Sequence, residues 1–143
     1  MPRMRRTTPA ASARDRLRAT GERVTGARVR VLEFLMRADC ALTHPEIEAG
    51  LGAEPLDRVT LYRVLDWLVA QGLAHRVAGD DRVRRFSMAG DAHGHHAHFQ
   101  CSGCGRVLCL PDAPAPGLDV RVPRGFRPEA VELTVRGRCA DCR

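Results

Sequence analysis

Residues 93 to 105 read HGHHAHFQCSGCG, with histidines at 93, 95, 96 and 98 and a Cys-x-x-Cys directly after them. A second Cys-x-x-Cys, Cys139-Ala-Asp-Cys142, lies near the C-terminus. Each knuckle offers two thiolates from one tight turn, and Gly103 and Gly105 ease the backbone of the first. Cys101, Cys104, Cys139 and Cys142 therefore match a tetrahedral structural Zn²⁺ site, coordinatively closed, which stabilises a fold and does no catalysis. A thioredoxin-like dithiol needs one such motif at a helix N-terminus, whereas here two stand at strand ends.

With four cysteines assigned, His93, His95, His96 and His98 remain, together with Cys109 and His75. His96 and His98 are two apart in a strand-like segment and so project to one face. Cys109 falls in the next strand and His75 in an earlier hairpin. Neutral imidazole with thiolate favours Zn²⁺ or a neighbouring late transition metal over Mg²⁺ or Ca²⁺. A regulatory site of His75, His96, His98 and Cys109 would draw ligands from both halves of the chain. An ion held that way favours one conformation over another, as a metal-sensing switch requires. Other roles stay open: His75 as a surface or DNA-facing residue, Cys109 as a buried core thiol, and His93 and His95 as an extra metal pair or as solvated loop residues. Cys40 reads as a buried cysteine of the N-terminal core.

The elements that must position these groups fall in a clear order. Residues 1–8 form a loose basic arm. Helical patterns cover 9–20 and 25–38, the latter with Thr25 as N-cap and Val31, Leu32, Leu35 and Met36 on one face. A third starts at Thr43, where Thr43 and Glu46 have capping-box spacing and Ile47 and Leu51 continue the apolar face. A fourth spans 57–71, with Asp57 as N-cap, Leu61, Leu65, Leu68 and Val69 in register, and Gly72 just past its end. Strand-like pieces at 73–77 and 82–88 flank the hairpin signal AGDD. Three helices of this kind followed by a hairpin are the order of a winged helix-turn-helix over residues 9–88, with 57–71 as the helix that enters the major groove.

After Met88 the composition changes, and residues 89–143 read as a metal-binding domain. FQC, GRVLCL and VELTVRG read as short strands, Val131, Leu133 and Val135 alternating as in a half-buried one. PDAPAPG is a stiff connector. So few large apolar side chains cannot build a strong core alone, and such a unit calls for a metal, a partner subunit or both.

The charge suits this plan. The 143-residue chain carries 23 basic against 17 acidic residues, a net charge of +6, and every basic residue is arginine. A polyanionic partner follows. Arg58, Thr60, Tyr62 and Arg63 lie in the first half of the recognition helix. There arginine can pair with guanine and the tyrosine ring can pack on a thymine methyl, the other role for Tyr62 being a core aromatic. Arg14, Arg16, Arg18 and Arg23 suit phosphates, and Arg3, Arg5 and Arg6 of the arm a minor groove. No apolar run approaches the ~18–20 residues of a membrane span, and the N-terminus lacks the apolar core of a secretory signal. The expected compartment is the cytoplasm, where cysteines serve as thiols or metal ligands.

RVTGARVRVLEFL, DRVTLYRVLDWLVAQGL, HHAHFQCSGCG and GRCADC, in this order, resemble the ferric uptake regulator family of bacterial metal-dependent repressors over residues 14 to 143. The resemblance implies an α+β chain, with an N-terminal winged helix and a small, β-rich αβ dimerisation domain holding structural zinc. It implies a homodimer on palindromic double-stranded operators when metallated. It assigns Cys101, Cys104, Cys139 and Cys142 to structural zinc, His96 and His98 to the regulatory site, His75 to a ligand of the zinc-responsive branch, and Tyr62 and Arg63 to the groove. Cys109 falls where that branch can use a carboxylate. Ser87 stands where many members have a Glu or Cys ligand, which makes Cys109 a natural replacement. Ala97, Pro116 and Val131 stand at ligand positions of another family site, which is therefore expected to be absent. The softer donor set favours Zn²⁺ as the signal, with Fe²⁺, Mn²⁺, Ni²⁺ or peroxide sensing as alternatives. From other classes, a zinc hydrolase would need an open coordination position and a general base, and no His-Glu-x-x-His is present. A zinc-storage or adaptor protein would leave the winged helix unexplained.

Overall fold

The computed structural model describes residues 11–79, 81–88, 97–110, 121–128 and 133–142. The chain divides into two units, Met1–Ala89 and Gly90–Arg143.

In the first unit, polar side chains satisfy the open amides at each helix start. α1 (Ala13–Ala19) begins at Ser12, which forms a capping box with Asp15. The cap at Ser12 makes this helix shorter than the 9–20 pattern suggests, and Gly21, in the left-handed region at φ +76°, lies just beyond its end. α2 (Gly26–Arg37) starts at Thr25, whose hydroxyl accepts from the Arg28 amide. The expected Thr43–Glu46 capping box opens α3 (His44–Gly50). At α4 (Arg58–Ala70) the Asp57 carboxylate accepts from the Thr60 amide at 2.9 Å. The Leu73 amide closes back on the Leu68 carbonyl and the Gly72 amide on Val69, a Schellman ending that needs the positive φ of Gly72.

The core follows from these helices. Val31, Leu32 and Leu35 of α2 meet Leu61, Leu65 and Leu68 of α4, with Leu17 and Ile47 filling in from α1 and α3, all at most 1% exposed. Burying each such side chain contributes roughly 1.5–3 kcal/mol. Three expected core positions shift outward: Met36 and Val69 are half-buried, and Leu51 is the C-cap of α3, while Val64 joins the buried face of α4.

The hairpin forms as the sequence suggests, with one addition. β1 (Leu42–Thr43) is a two-residue strand that pairs with β3 (Arg84–Met88), which pairs in turn with β2 (Ala74–Ala78), giving the order β1-β3-β2. Arg85 of β3 is buried, and its guanidinium donates to both Asp81 carboxylate oxygens at 2.9 and 2.6 Å. That donation holds the Asp81 carboxyl well below the usual carboxylate range.

In the second unit, β4 (Ala97–Cys101) is central between β5 (Val107–Leu110), antiparallel to it, and β6 (Thr134–Gly137), parallel to it. The parallel pairing was not legible beforehand. The expected half-buried strand over 131–135 is corrected: β6 is an edge strand, its first three residues are exposed, and Val135 is 44% exposed. Among the described residues of this unit the only helical piece is a 3-10 turn, Ala140–Cys142. His93, His95, His96, Pro116, Val131, the whole N-terminal arm and the connector at 111–117 lie outside the described residues.

Two outcomes are expected. Leu65→Ala, at a fully buried position, should lower unfolding free energy by roughly 2–5 kcal/mol in a urea titration. Asp81→Asn should lower the melting temperature at pH 7, since Arg85 then lacks its counter-charge. Because the Asp81 pKa is depressed on folding, its contribution is complete above the unfolded value near ~4 and fades as pH falls below it. The gap between variant and wild type should therefore shrink on acidification. A gap that widens at low pH would contradict the ion pair.

Candidate metal centre and nucleic-acid interface

Strand register brings the two cysteine knuckles together. Cys101 ends β4 and aligns with Gly137 of β6, so the turn 101–104 and the turn 139–142 emerge side by side. The Ser102 amide donates to the Gly137 carbonyl at 2.8 Å, tying one knuckle to the approach of the other. The sulfurs of Cys101, Cys104, Cys139 and Cys142 all lie within 4.8 Å of one another. Gly103 is required by this closeness, because a Cβ there would come within 2.9 Å of the Cys142 Cβ.

The electrostatics call for a cation. Amides of Cys104, Cys139 and Gly103 point at the Cys101 sulfur and hold its thiol down to about 6. The neighbouring Cys139 and Cys104 side chains, with burial, push the Cys142 thiol up to about 12. The Cys101 thiolate is thus favoured, while the Cys142 thiol is held protonated by its cysteine neighbours. A divalent ion with tetrahedral preference would displace that proton, and the donor set fits Zn²⁺. Arg106 lies beside the cluster and donates to Asp141 at 3.1 Å, linking a position two residues past the first knuckle to the middle of the second.

The second set of donors is placed as follows. His98 of β4 and Cys109 of β5 are direct cross-strand partners, with ligating atoms within 4.8 Å. Both are half-buried. His75 of β2 is half-buried and pairs with Ser87 of β3. Ala97 is buried at the edge of β4 and offers no donor.

On the first unit, Arg58, Tyr62 and Arg63 are exposed on α4, Tyr62 by 46%. Thr60 is half-buried and its hydroxyl donates to Asp57, so it serves the helix cap. Arg14, Arg18 and Arg23 are exposed and Arg16 is half-buried. Arg18 lies 3.6 Å from Asp15. Sequence reasoning missed Val59, 59% exposed on α4 between Arg58 and Thr60. Its signal was an apolar residue outside the helical repeat of the core face. It also missed His44, which stacks on Tyr62.

Comparison with known proteins bears on what these arrangements serve. The model of the ferric uptake regulator family matches residues 19–136. Transcriptional regulator FurA of Mycobacterium tuberculosis is 33% identical over 136 residues, covering 90% of this chain and 88% of its own. The peroxide operon regulator of Bacillus subtilis is 28% identical, covering 91% and 90%. The solved structure of the ferric uptake regulator from Pseudomonas aeruginosa with manganese is 27% identical and superposes with a TM-score of 0.65, covering 90% of this chain and 98% of that one.

The cysteine cluster generates a direct expectation. Cys139→Ser should lower bound zinc by about one ion per chain in elemental analysis and lower the melting temperature strongly, because such a site can contribute ~10 kcal/mol or more to folding. Unchanged zinc content would remove these four residues as a metal site.

Proposed function

Because the chain belongs to the ferric uptake regulator family of metal-responsive transcriptional regulators, which are not enzymes, we propose that it is a zinc-responsive repressor of metal-uptake genes. Regulators of this family act on DNA operators as dimers, and the proposed form here is a cytoplasmic homodimer on a palindromic duplex. Two-fold protein symmetry then matches two half-sites. No described helix is long and apolar enough to cross a membrane.

The observation that carries the choice of metal is the pairing of His98 with Cys109 across β4 and β5. An imidazole and a thiol on one face of a sheet form a soft pair, suited to Zn²⁺ more than to an ion held by carboxylates. His75 and His96 complete the proposed regulatory set, and Ser87 leaves Cys109 as the sulfur donor. Cys101, Cys104, Cys139 and Cys142 hold a separate, permanent Zn²⁺. His93 and His95 are proposed as an extra metal pair. The residues of this chain do two things toward the labile ion: they offer neutral nitrogen and thiolate, and they release protons on binding.

DNA reading is assigned to Tyr62, Arg58 and Arg63, with Val59 and Tyr62 as apolar contacts to thymine methyls and the arginines as donors to guanine edges. Thr60 supports the helix start. Arg14, Arg16, Arg18 and Arg23 meet phosphates. A second reading is iron-, manganese-, nickel- or peroxide-responsive regulation, and the relative named peroxide operon regulator favours the last of these.

The test combines metal counting with DNA binding. Zinc per chain should fall from about two to about one on mild chelation and recover on adding zinc. Binding to a duplex selected from a random library should follow the labile ion. His98→Ala should abolish that metal dependence and leave one zinc in place. Recovery of binding at lower free Fe²⁺ or Mn²⁺ than Zn²⁺ would overturn the zinc assignment in favour of the second reading. Arg63→Ala should weaken binding by roughly 1–3 kcal/mol and relax preference at one base pair.

A further inference from the structure

His44 opens α3, yet its side chain is turned inward and only 7% of the residue is exposed. Its imidazole lies flat on the ring of Tyr62 in α4, with centroids 3.9 Å apart and planes 20° from parallel. Tyr62 is nonetheless 46% exposed. The Nδ1 edge of His44 faces Glu48 at 4.0 Å, and Glu48 in turn lies 3.9 Å from the Arg58 guanidinium. Among the described residues, nothing accepts from or donates to the buried Nε2 atom.

These facts argue against a simple filler. An apolar side chain would occupy the space without leaving a buried nitrogen lacking a partner. What a histidine provides here is a flat ring behind one DNA-facing residue and a polar edge toward the carboxylate that faces another. An exposed tyrosine otherwise samples several rotamers, and ordering it costs binding free energy. A ring packed behind it removes that freedom before DNA arrives.

We propose that His44 is a positioning residue for base reading: its imidazole is a fixed plate that holds the Tyr62 ring in its DNA-facing orientation. This inference rests on the assignment of Tyr62 as a DNA reader. His44 itself does not touch DNA.

The test uses the full zinc-loaded chain and two probes, a duplex selected from a random library by the wild type and a scrambled duplex of equal length. The readout is the ratio of the two affinities. His44→Leu, which fills space without stacking, should lower the ratio roughly 2- to 10-fold, the scale of one aromatic pair. His44→Phe, which keeps a flat ring, should retain the ratio within about 2-fold on the same scale. A ratio fully retained by His44→Leu overturns the proposal, as does an equal loss in His44→Phe. Tyr62→Ala separates the two layers. If it lowers the ratio while His44→Leu does not, the positioning role alone falls. If Tyr62→Ala leaves the ratio intact, Tyr62 is not a reader and both readings fall. Should His44→Leu not fold, the ring protons of the chain's single tyrosine carry the test in the wild type. Stacking on His44 displaces them upfield, and their absence from that position overturns the proposal.

Discussion

Four sulfur atoms confined to one small volume are the constraint on which the second unit depends. That unit buries few large side chains: Val107, Ala97 and Cys101 are its buried apolar residues among those described. A three-stranded sheet with so thin an interior is marginal in water. The sulfurs repel one another as thiolates and attract a common cation, so the same closeness that opposes an empty cluster stabilises a filled one. Gly103, the Ser102–Gly137 bond and the Arg106–Asp141 pair all sit around this cluster and hold its two halves in place.

The first unit is organised differently. Its described interior is largely apolar and its helices are capped by their own side chains. The buried charge of Arg85 is satisfied within the wing by Asp81. The surface of α4 can therefore carry Arg58, Val59, Tyr62 and Arg63 outward without weakening the core behind them. The buried core residues and these exposed side chains are on opposite faces of one helix.

Much of this could be read from residue order alone. Thr25, Thr43 with Glu46, Asp57 and Gly72 marked helix ends because capping is a local event, decided within four residues. The cysteine cluster was legible because thiolate pairs in tight turns have few other uses. What escaped notice was long-range. The two-residue β1 has too short a pattern to detect, and its pairing with β3 depends on the tertiary fold. The parallel register of β4 and β6 joins segments separated by more than thirty residues, which no local rule specifies. Val135 alternates like a core residue, yet its strand lies at an edge. His44 resembled an ordinary first-turn residue beside Pro45, and only the packing of α3 on α4 revealed its ring against Tyr62.

The alignment of β4 with β6 makes the two knuckles a clasp. Cys104 and Cys139 are 35 positions apart in sequence and 3.8 Å apart between sulfurs. A metal ion held by both would close the chain between them into a ring, comparable to a loop shut by a disulfide. Closing such a ring becomes harder only logarithmically with its length, each doubling costing about 0.6 kcal/mol. Insertions and deletions between the strands are thus inexpensive, while a shift of one residue at either knuckle breaks the closure. A filled clasp would fix the register of β4 against β6 at a cost that depends little on the length of chain between the knuckles.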